Sequence, residues 1–238
     1  NPDASLNPRH RVSEIIGRPL HKFFGLEGKE LRERVERLLE DVRLDASYAN
    51  RFPDELSGGE RQRIAIARAL AAEPQLLLCD EVLSALDVSV QANVLELLVD
   101  LQARRQIAYL FISHDLAVVR SLAHRVGVLY WGGLCEVGGV EEIFRPPYHP
   151  YTQLLLSAVP EADPDQELPP ARKDIGLLTG EKRLACPFAP RCPWKVGPVC
   201  ETADPPWQFA SETYGLCCHI PLEELYNLET PASRSGES

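Results

Sequence analysis

The 238-residue chain contains no methionine and no apolar run near the roughly 20 residues that a membrane-spanning helix requires. It opens on Asn1 without the charged-then-apolar leader that directs secretion. Positive charge is scarce: 25 Lys+Arg face 35 Asp+Glu for a net charge of −10, which works against nonspecific binding to nucleic acid or anionic lipid. No segment repeats another. These absences point to a soluble, intracellular protein that reaches a membrane only through a partner. The length suits one domain plus an extension.

What the chain does contain is an ordered series of four signals. In Leu56-Ser57-Gly58-Gly59-Glu60-Arg61-Gln62-Arg63, Ser57 can accept from the N–H of Glu60 while Glu60 reaches back, the reciprocal cap that opens a helix. Gly58 and Gly59 leave backbone donors bare at the positive end of the helix dipole, where a phosphate can approach. The helix runs through Ile64, Ala67 and Leu70 and stops by Pro74. Next, Leu76 to Cys79 reads as a parallel strand covered on both faces. Its C-terminal end, where open α/β sheets place their chemistry, carries Asp80 and Glu81. One carboxylate suits Mg²⁺ held through water, and its neighbour, on the other side of an extended chain, suits orienting or deprotonating an attacking water. Third comes Ser84-Ala85-Leu86-Asp87 ahead of an amphipathic helix with Val90, Val94, Leu97, Leu98 and Leu101. Fourth, His114 follows the strand Ile107 to Ser113, within reach of a terminal phosphate. The series points to nucleotide hydrolysis.

These residues resemble the ATP-binding subunits of ABC transporters, in particular the bacterial dipeptide, oligopeptide and nickel importers. Leu56 to Glu60 are similar to the ABC signature, with Glu60 replacing the commoner Gln. Leu76 to Glu81 resemble the Walker B strand, Ser84 to Asp87 the D-loop and His114 the switch histidine, while Asn1 to Pro8 look like the segment after the Q-loop glutamine. Val82-Leu83 stands where the family often has Pro-Thr. The phosphate loop G-x-x-x-x-G-K-[ST] is missing from the sequence: Gly25-Leu26-Glu27-Gly28-Lys29-Glu30 is too short and ends in Glu. The expectation is therefore a truncated or excised part of a longer polypeptide, inactive as an ATPase by itself. It would still supply Ser57, Gly58, Gly59, Glu60 and Asp87 to nucleotide held by a partner cassette, beside its own catalytic Glu81 and His114 and its Mg²⁺-linked Asp80.

The resemblance implies an α/β P-loop NTPase-like ABC core, here partial, with an α-helical subdomain and a Cys-rich extension. Residues 1–52 read as the helical subdomain: one helix from about Val12, interrupted or bent at Pro19, and a second with Leu31, Val35, Leu38, Leu39 and Val42 on one face. Residues 53–140 hold the core, ending in a hairpin from Arg125 to Tyr130 and from Leu134 to Val137. Residues 141–184 contain Phe144-Arg145-Pro146-Pro147-Tyr148-His149-Pro150-Tyr151-Thr152, similar to the tail of peptide-importer ATPases, with a following helix that packs Leu154, Leu155 and Leu156. After it comes an acidic, Pro-rich linker.

Residues 185–238 concentrate five of the seven cysteines. Cys186, Cys192, Cys200 and Cys218 form a thiolate set suited to Zn²⁺ or, by likeness to some peptide-importer tails, a [4Fe–4S] cluster, with Cys217 and His219 as rival fourth ligands. A cytosolic setting disfavours persistent disulfides. Cys79 reads as a small core residue, and Cys135 has no assigned chemistry. The implied partners are a second cassette, two transmembrane permeases and an extracytoplasmic peptide-binding protein, with the chain peripheral on the cytoplasmic side of the bacterial inner membrane. The rivals are a soluble ABC ATPase of DNA repair or ribosome function, and a truncated remnant that binds without hydrolysing.

Overall fold

In the computed structural model, residues 5–84, 86–158 and 185–228 are described, and the chain divides into two units, Asn1–Val118 and Val119–Ser238.

The first unit is built on helices whose apolar residues recur at helical spacing. Helix α1 (Val12–Phe24) buries Val12, Ile15, Ile16 and Leu20 on one face. It passes through Pro19 without a break and ends at Gly25, whose φ of 66° is the left-handed closure that glycine tolerates. Helix α2 (Gly28–Asp41) buries Val35, Leu38 and Leu39, as its pattern predicts. Helix α3 (Gly58–Leu70) contributes Ile64, Ile66, Ala67 and Leu70 to the same core. Strand β1 (Leu76–Asp80), helix α4 (Val88–Arg105) and strand β2 (Ala108–Ile112) form a parallel β–α–β unit in which Leu76 pairs with Ala108 and Asp80 with Ile112. Val94, Leu97, Leu98 and Leu101 seat α4 in the core. Helix α5 (Leu116–Leu122) follows β2.

One expectation changes here. Only one face of the parallel pair is covered, because Leu76, Leu78, Leu110 and Ile112 are 58, 61, 55 and 48 % exposed. A continuous apolar run predicts two buried faces, but burial depends on what packs against each face, and no element of the described residues covers this one.

The second unit centres on an antiparallel sheet of order β3-β4-β6-β5. Strands β3 (Arg125–Tyr130) and β4 (Gly133–Gly139) form the expected hairpin. Its two-residue turn places Trp131 and Gly132 at φ 50° and 75°, the pair of positive angles that suits the twist of the strands. A register shift opposite Val128 and Leu129 inserts one extra residue in β4. Cys135 and Glu136 are in consequence both buried, where strict alternation would expose one of them. Strands β5 (Trp207–Phe209) and β6 (Gly215–Cys217) come from the Cys-rich segment, and β6 pairs with β4 through Glu136–Leu216 and Val137–Gly215. Around the sheet lie four short helices: α6 (Val140–Ile143), α7 (Pro150–Ser157), α8 (Val199–Thr202) and α9 (Leu222–Leu225). In α7 the buried residues are Pro150, Thr152 and Gln153; Leu154 packs half-buried against Tyr130, Cys135 and Phe188 as expected, and Leu155 and Leu156 are half-buried. The linker expected between α7 and Ala185 lies outside the described residues.

Candidate functional site

The start of α3 is set by a capping box. Ser57 N–H donates to Glu60 Oε2 at 2.7 Å, and Glu60 N–H donates back to Ser57 Oγ at 3.4 Å. The Tyr48 hydroxyl donates to Glu60 Oε1 from the turn Ala46–Asn50. That bond, followed by the one from the Ser57 N–H, holds the Glu60 carboxyl below the usual carboxylate range and lifts the Tyr48 phenol. Tyr48 is a site neighbour that sequence reasoning missed, since nothing in a lone tyrosine upstream marks it as a partner of this helix.

The two glycines do different work. A methyl group on Gly59 would meet Val90 Cγ1 at 2.5 Å, so Gly59 allows α3 to approach α4 closely. At Gly58 the nearest atom is Leu86 Cδ2 at 3.8 Å, so bulk is not what excludes a side chain there. The same contact brings the helix start beside Leu86-Asp87. A cleft of about 460 Å³ opens at this end of α3, with Ser57, Gly59 and Glu60 in its wall and the side chains of Arg43 and Arg63 around it. Bare helix-start donors, arginines and room for a phosphate-sized group suit an anion.

At the end of β1, Asp80 is exposed and Glu81 leaves the strand. Glu81 has φ 46°, a left-handed conformation that costs a non-glycine residue about 1 kcal/mol or more. The extended geometry expected for the Asp80–Glu81 pair is therefore replaced by a turn, fixed by Glu81 N–H to Ile112 O at 3.0 Å and Ser84 Oγ to the Glu81 carbonyl at 2.9 Å. This turn puts Glu81 Oε1 3.3 Å from His114 Nδ1, with both side chains open to solvent. A carboxylate and an imidazole so placed can share the work of positioning and deprotonating a water. Asp87 is the N-cap of α4, and its side chain makes no capping bond. Ser57, Gly58, Glu60 and Asp87 thus share one edge of the unit, and Glu81 and His114 form a pair at the strand end.

Every cysteine of the chain is a free thiol, and six of the seven fall in the second unit. Burial pushes Cys192 up to about 11 and Cys218 up to about 12, and negative charge on Cys192, Cys186 and Cys200 adds to the effect at Cys218. Cys186 N–H donates to the carbonyl of Cys200 at 3.0 Å. The four expected ligands therefore lie in one another's electrostatic field. Among the described residues, however, no three or more His, Cys, Asp or Glu side chains gather closely enough to hold a metal ion. Nor is any helix among them long and apolar enough to cross a membrane.

The most polar buried cluster of this unit was not visible in the sequence. Glu136 is fully buried, and its carboxylate accepts from Thr152 Oγ1, the Tyr214 hydroxyl and His149 N–H, the last at 3.1 Å. Burial pushes its carboxyl up to about 7, against the pull of those three donors. His149 caps α7 by accepting from Tyr151 N–H at 3.1 Å, and burial pushes its imidazole down to about 4.

Comparison with known proteins bears on both units. The family described as "ABC transporter" matches residues 1–84, and "Oligopeptide/dipeptide transporter, C-terminal region" matches residues 135–200. The oligopeptide transport ATP-binding protein AppF of Bacillus subtilis is 42 % identical over 92 % of this chain and 68 % of its own length. OppF of Escherichia coli is 46 % identical over 86 % of this chain and 62 % of its own length. A peptide import ATP-binding protein of Brucella abortus is 44 % identical over 92 % of this chain; the chain spans 65 % of that relative. Among solved structures, the ATP-binding cassette MJ0796, a dimer bound to ADP and Pi, superposes with a TM-score of 0.51 at 33 % identity, over 57 % of this chain and 59 % of that one.

Proposed function

Because the chain belongs to the ATP-binding subunits of ABC-type peptide importers, we propose that it forms part of an ATP-hydrolysing subunit that energises uptake of di- or oligopeptides across the bacterial inner membrane. The observation that carries the hydrolytic reading is the 3.3 Å contact between Glu81 and His114 at the end of the parallel pair.

The roles follow from placement. Glu81 takes the proton of the attacking water, and His114 orients the carboxylate and faces the terminal phosphate. Asp80 holds Mg²⁺ through water; the exposed strand-end carboxylate suits a hard cation. Ser57, the Gly58 and Gly59 N–H groups and Asp87 contact nucleotide bound by a second cassette, with Glu60 as part of the same nucleotide-binding helix start. Glu60 acts through the cap that fixes Ser57. Mg²⁺ supplies neutralisation of the phosphate charge that builds up during transfer.

The division into a helical subdomain (1–52), an ATPase core (53–140), a tail helix with linker (141–184) and a Cys-rich module (185–238) is part of the proposal, as is peripheral attachment to two permeases served by a peptide-binding protein. The described thiols do not converge on a single ion, so they do not fit Zn²⁺. What supports Cys186, Cys192, Cys200 and Cys218 as holders of a [4Fe–4S] cluster is their soft donor character as four free thiols of one segment. Iron and sulfide analysis after anaerobic isolation tests this, and a metal-free protein refutes it.

The function is tested by comparing ATP turnover of this chain with that of a form extended upstream by a segment carrying a G-x-x-x-x-G-K-[ST] loop. No turnover is expected from the chain alone and turnover from the extended form. Equal inactivity of the two overturns the enzymatic reading.

A further inference from the structure

Three cysteines lie outside the proposed cluster set. Cys79 is in β1, whereas Cys135 and Cys217 belong to neighbouring strands of the second unit. In the antiparallel ladder of β4 and β6, Val137 faces Gly215 and Glu136 faces Leu216, where the paired positions end; one step further along the same register, Cys135, the extra residue of β4, comes level with Cys217. Opposed residues of such a ladder have α-carbons about 4.5–5.5 Å apart, inside the span of about 4.4–6.8 Å that a disulfide bridges.

A shared cavity supports the pairing. Both residues line one cavity of about 600 Å³, together with Cys186, His149, Phe188 and Trp207. Each thiol is free, and each is held only by a weak sulfur hydrogen bond: Cys135 Sγ to Val128 O at 3.2 Å, Cys217 Sγ to Pro205 O at 3.1 Å. Cys217 is the more exposed of the two, and the cavity gives a small oxidant access to both.

We propose that Cys135 and Cys217 form a redox-sensitive clasp, a cross-strand dithiol that hydrogen peroxide or a small hydroperoxide closes to a disulfide. The sulfur of Cys217 attacks the O–O bond of hydrogen peroxide, taking one oxygen as a sulfenic acid and releasing water. The sulfur of Cys135 then attacks that sulfur, forming the S–S bond and releasing a second water. The two thiols lose two electrons and two protons in all, and the peroxide gains them. A small dithiol reverses the reaction by exchange. The closed clasp ties the Cys-rich segment covalently to the hairpin that carries Glu136 and, through it, the cap of α7. This inference is independent of ATP hydrolysis.

The test uses the full 238-residue chain, fully reduced and then exposed to a small excess of hydrogen peroxide, with remaining thiols blocked by a maleimide before peptide mapping. The expected result is one linked pair of peptides carrying Cys135 and Cys217, with a two-hydrogen mass loss, that disappears in either C135S or C217S. Wild-type chain should melt at a higher temperature after oxidation, and the C135A/C217A double variant should melt at the same temperature in both states. Linkage of Cys217 to Cys186 or to Cys218, or a Cys135 that the maleimide still labels after Cys217 has been oxidised, overturns the proposal. Both mapping results come from the wild-type chain and do not depend on how well a variant folds.

Discussion

The two units place their polar groups in opposite ways. In the first, Asp80, Glu81 and His114 stand at the surface, on a parallel pair with one bare apolar face. In the second, Glu136, His149 and Tyr214 are buried and satisfy one another. Exposed polar groups cost little to maintain and remain free to act on something not yet bound. Buried polar groups persist only when each has a partner, and they serve the fold. Changing a group of the first kind should alter chemistry and leave stability nearly untouched. Changing one of the second kind should do the reverse.

The sharpest break of that contrast is a pair of single substitutions. In a complete, active form, Glu81→Gln should lower ATP turnover by about 10²- to 10⁴-fold, the range for a lost general base, and leave the melting temperature unchanged within a degree or so. Glu136→Ala should leave the Thr152 hydroxyl and the His149 N–H unpaired and destabilise the second unit by about 3 kcal/mol, read as a lower urea midpoint. A Glu136→Ala variant as stable as the parent would show that the buried cluster does not hold the unit together.

Within the first unit, the two glycines of α3 offer a finer comparison. Gly59→Ala forces a methyl group against Val90 and should cost about 1–3 kcal/mol. Gly58→Ala meets only ordinary contact at Leu86 and should be neutral or slightly stabilising in this chain, since alanine favours the helix. If Gly58→Ala also suppressed turnover in a complete subunit, its cost would be functional.

Titration sharpens the account of the second unit. The Glu136 carboxyl is raised to about 7, so the folded state holds its proton more tightly than the unfolded state does. Its stabilising contribution is full below about 4.5 and is lost as pH rises through about 7. His149 is lowered to about 4, so its contribution is present above about 6.5 and lost as pH falls through about 4. Between about 4.5 and 6.5 the two oppose each other. Glu136→Gln removes the first, and stability should then rise with pH from about 4 to 6.5, as followed by thermal melting at fixed salt. The smallest effect belongs to the bare strand face, where Leu78→Ser should change the stability of this chain by less than about 0.5 kcal/mol.

Much of the first unit is legible in the sequence because its signals are local. Helical spacing places Leu38, Leu39, Leu97 and Leu98 in the core, and Ser57 with Glu60 announces the start of α3 within a single turn. The Glu81–His114 contact joins residues 33 apart, and only the order of strands brings them within view of each other. The turn at Glu81 has no local signal, because a glutamate with a positive φ is not marked by its type. In the second unit, the extra residue in β4 spoils the alternation that would have exposed the burial pattern, so Glu136 reads as a surface charge. The β4–β6 pairing spans about eighty residues and could not be inferred from either strand alone. The covering of the β1–β2 face is a property of neighbours, and a run of leucines does not specify them.

The most direct test of the central claim is ATP turnover by the complete subunit assembled with the permeases and peptide-binding protein proposed for it, with and without peptide, for the parent and for Glu81→Gln. The account predicts turnover that peptide stimulates and that the substitution abolishes while the assembly stays intact. Turnover that continues at the parent rate in the Glu81→Gln variant, or that peptide leaves unchanged, would contradict it.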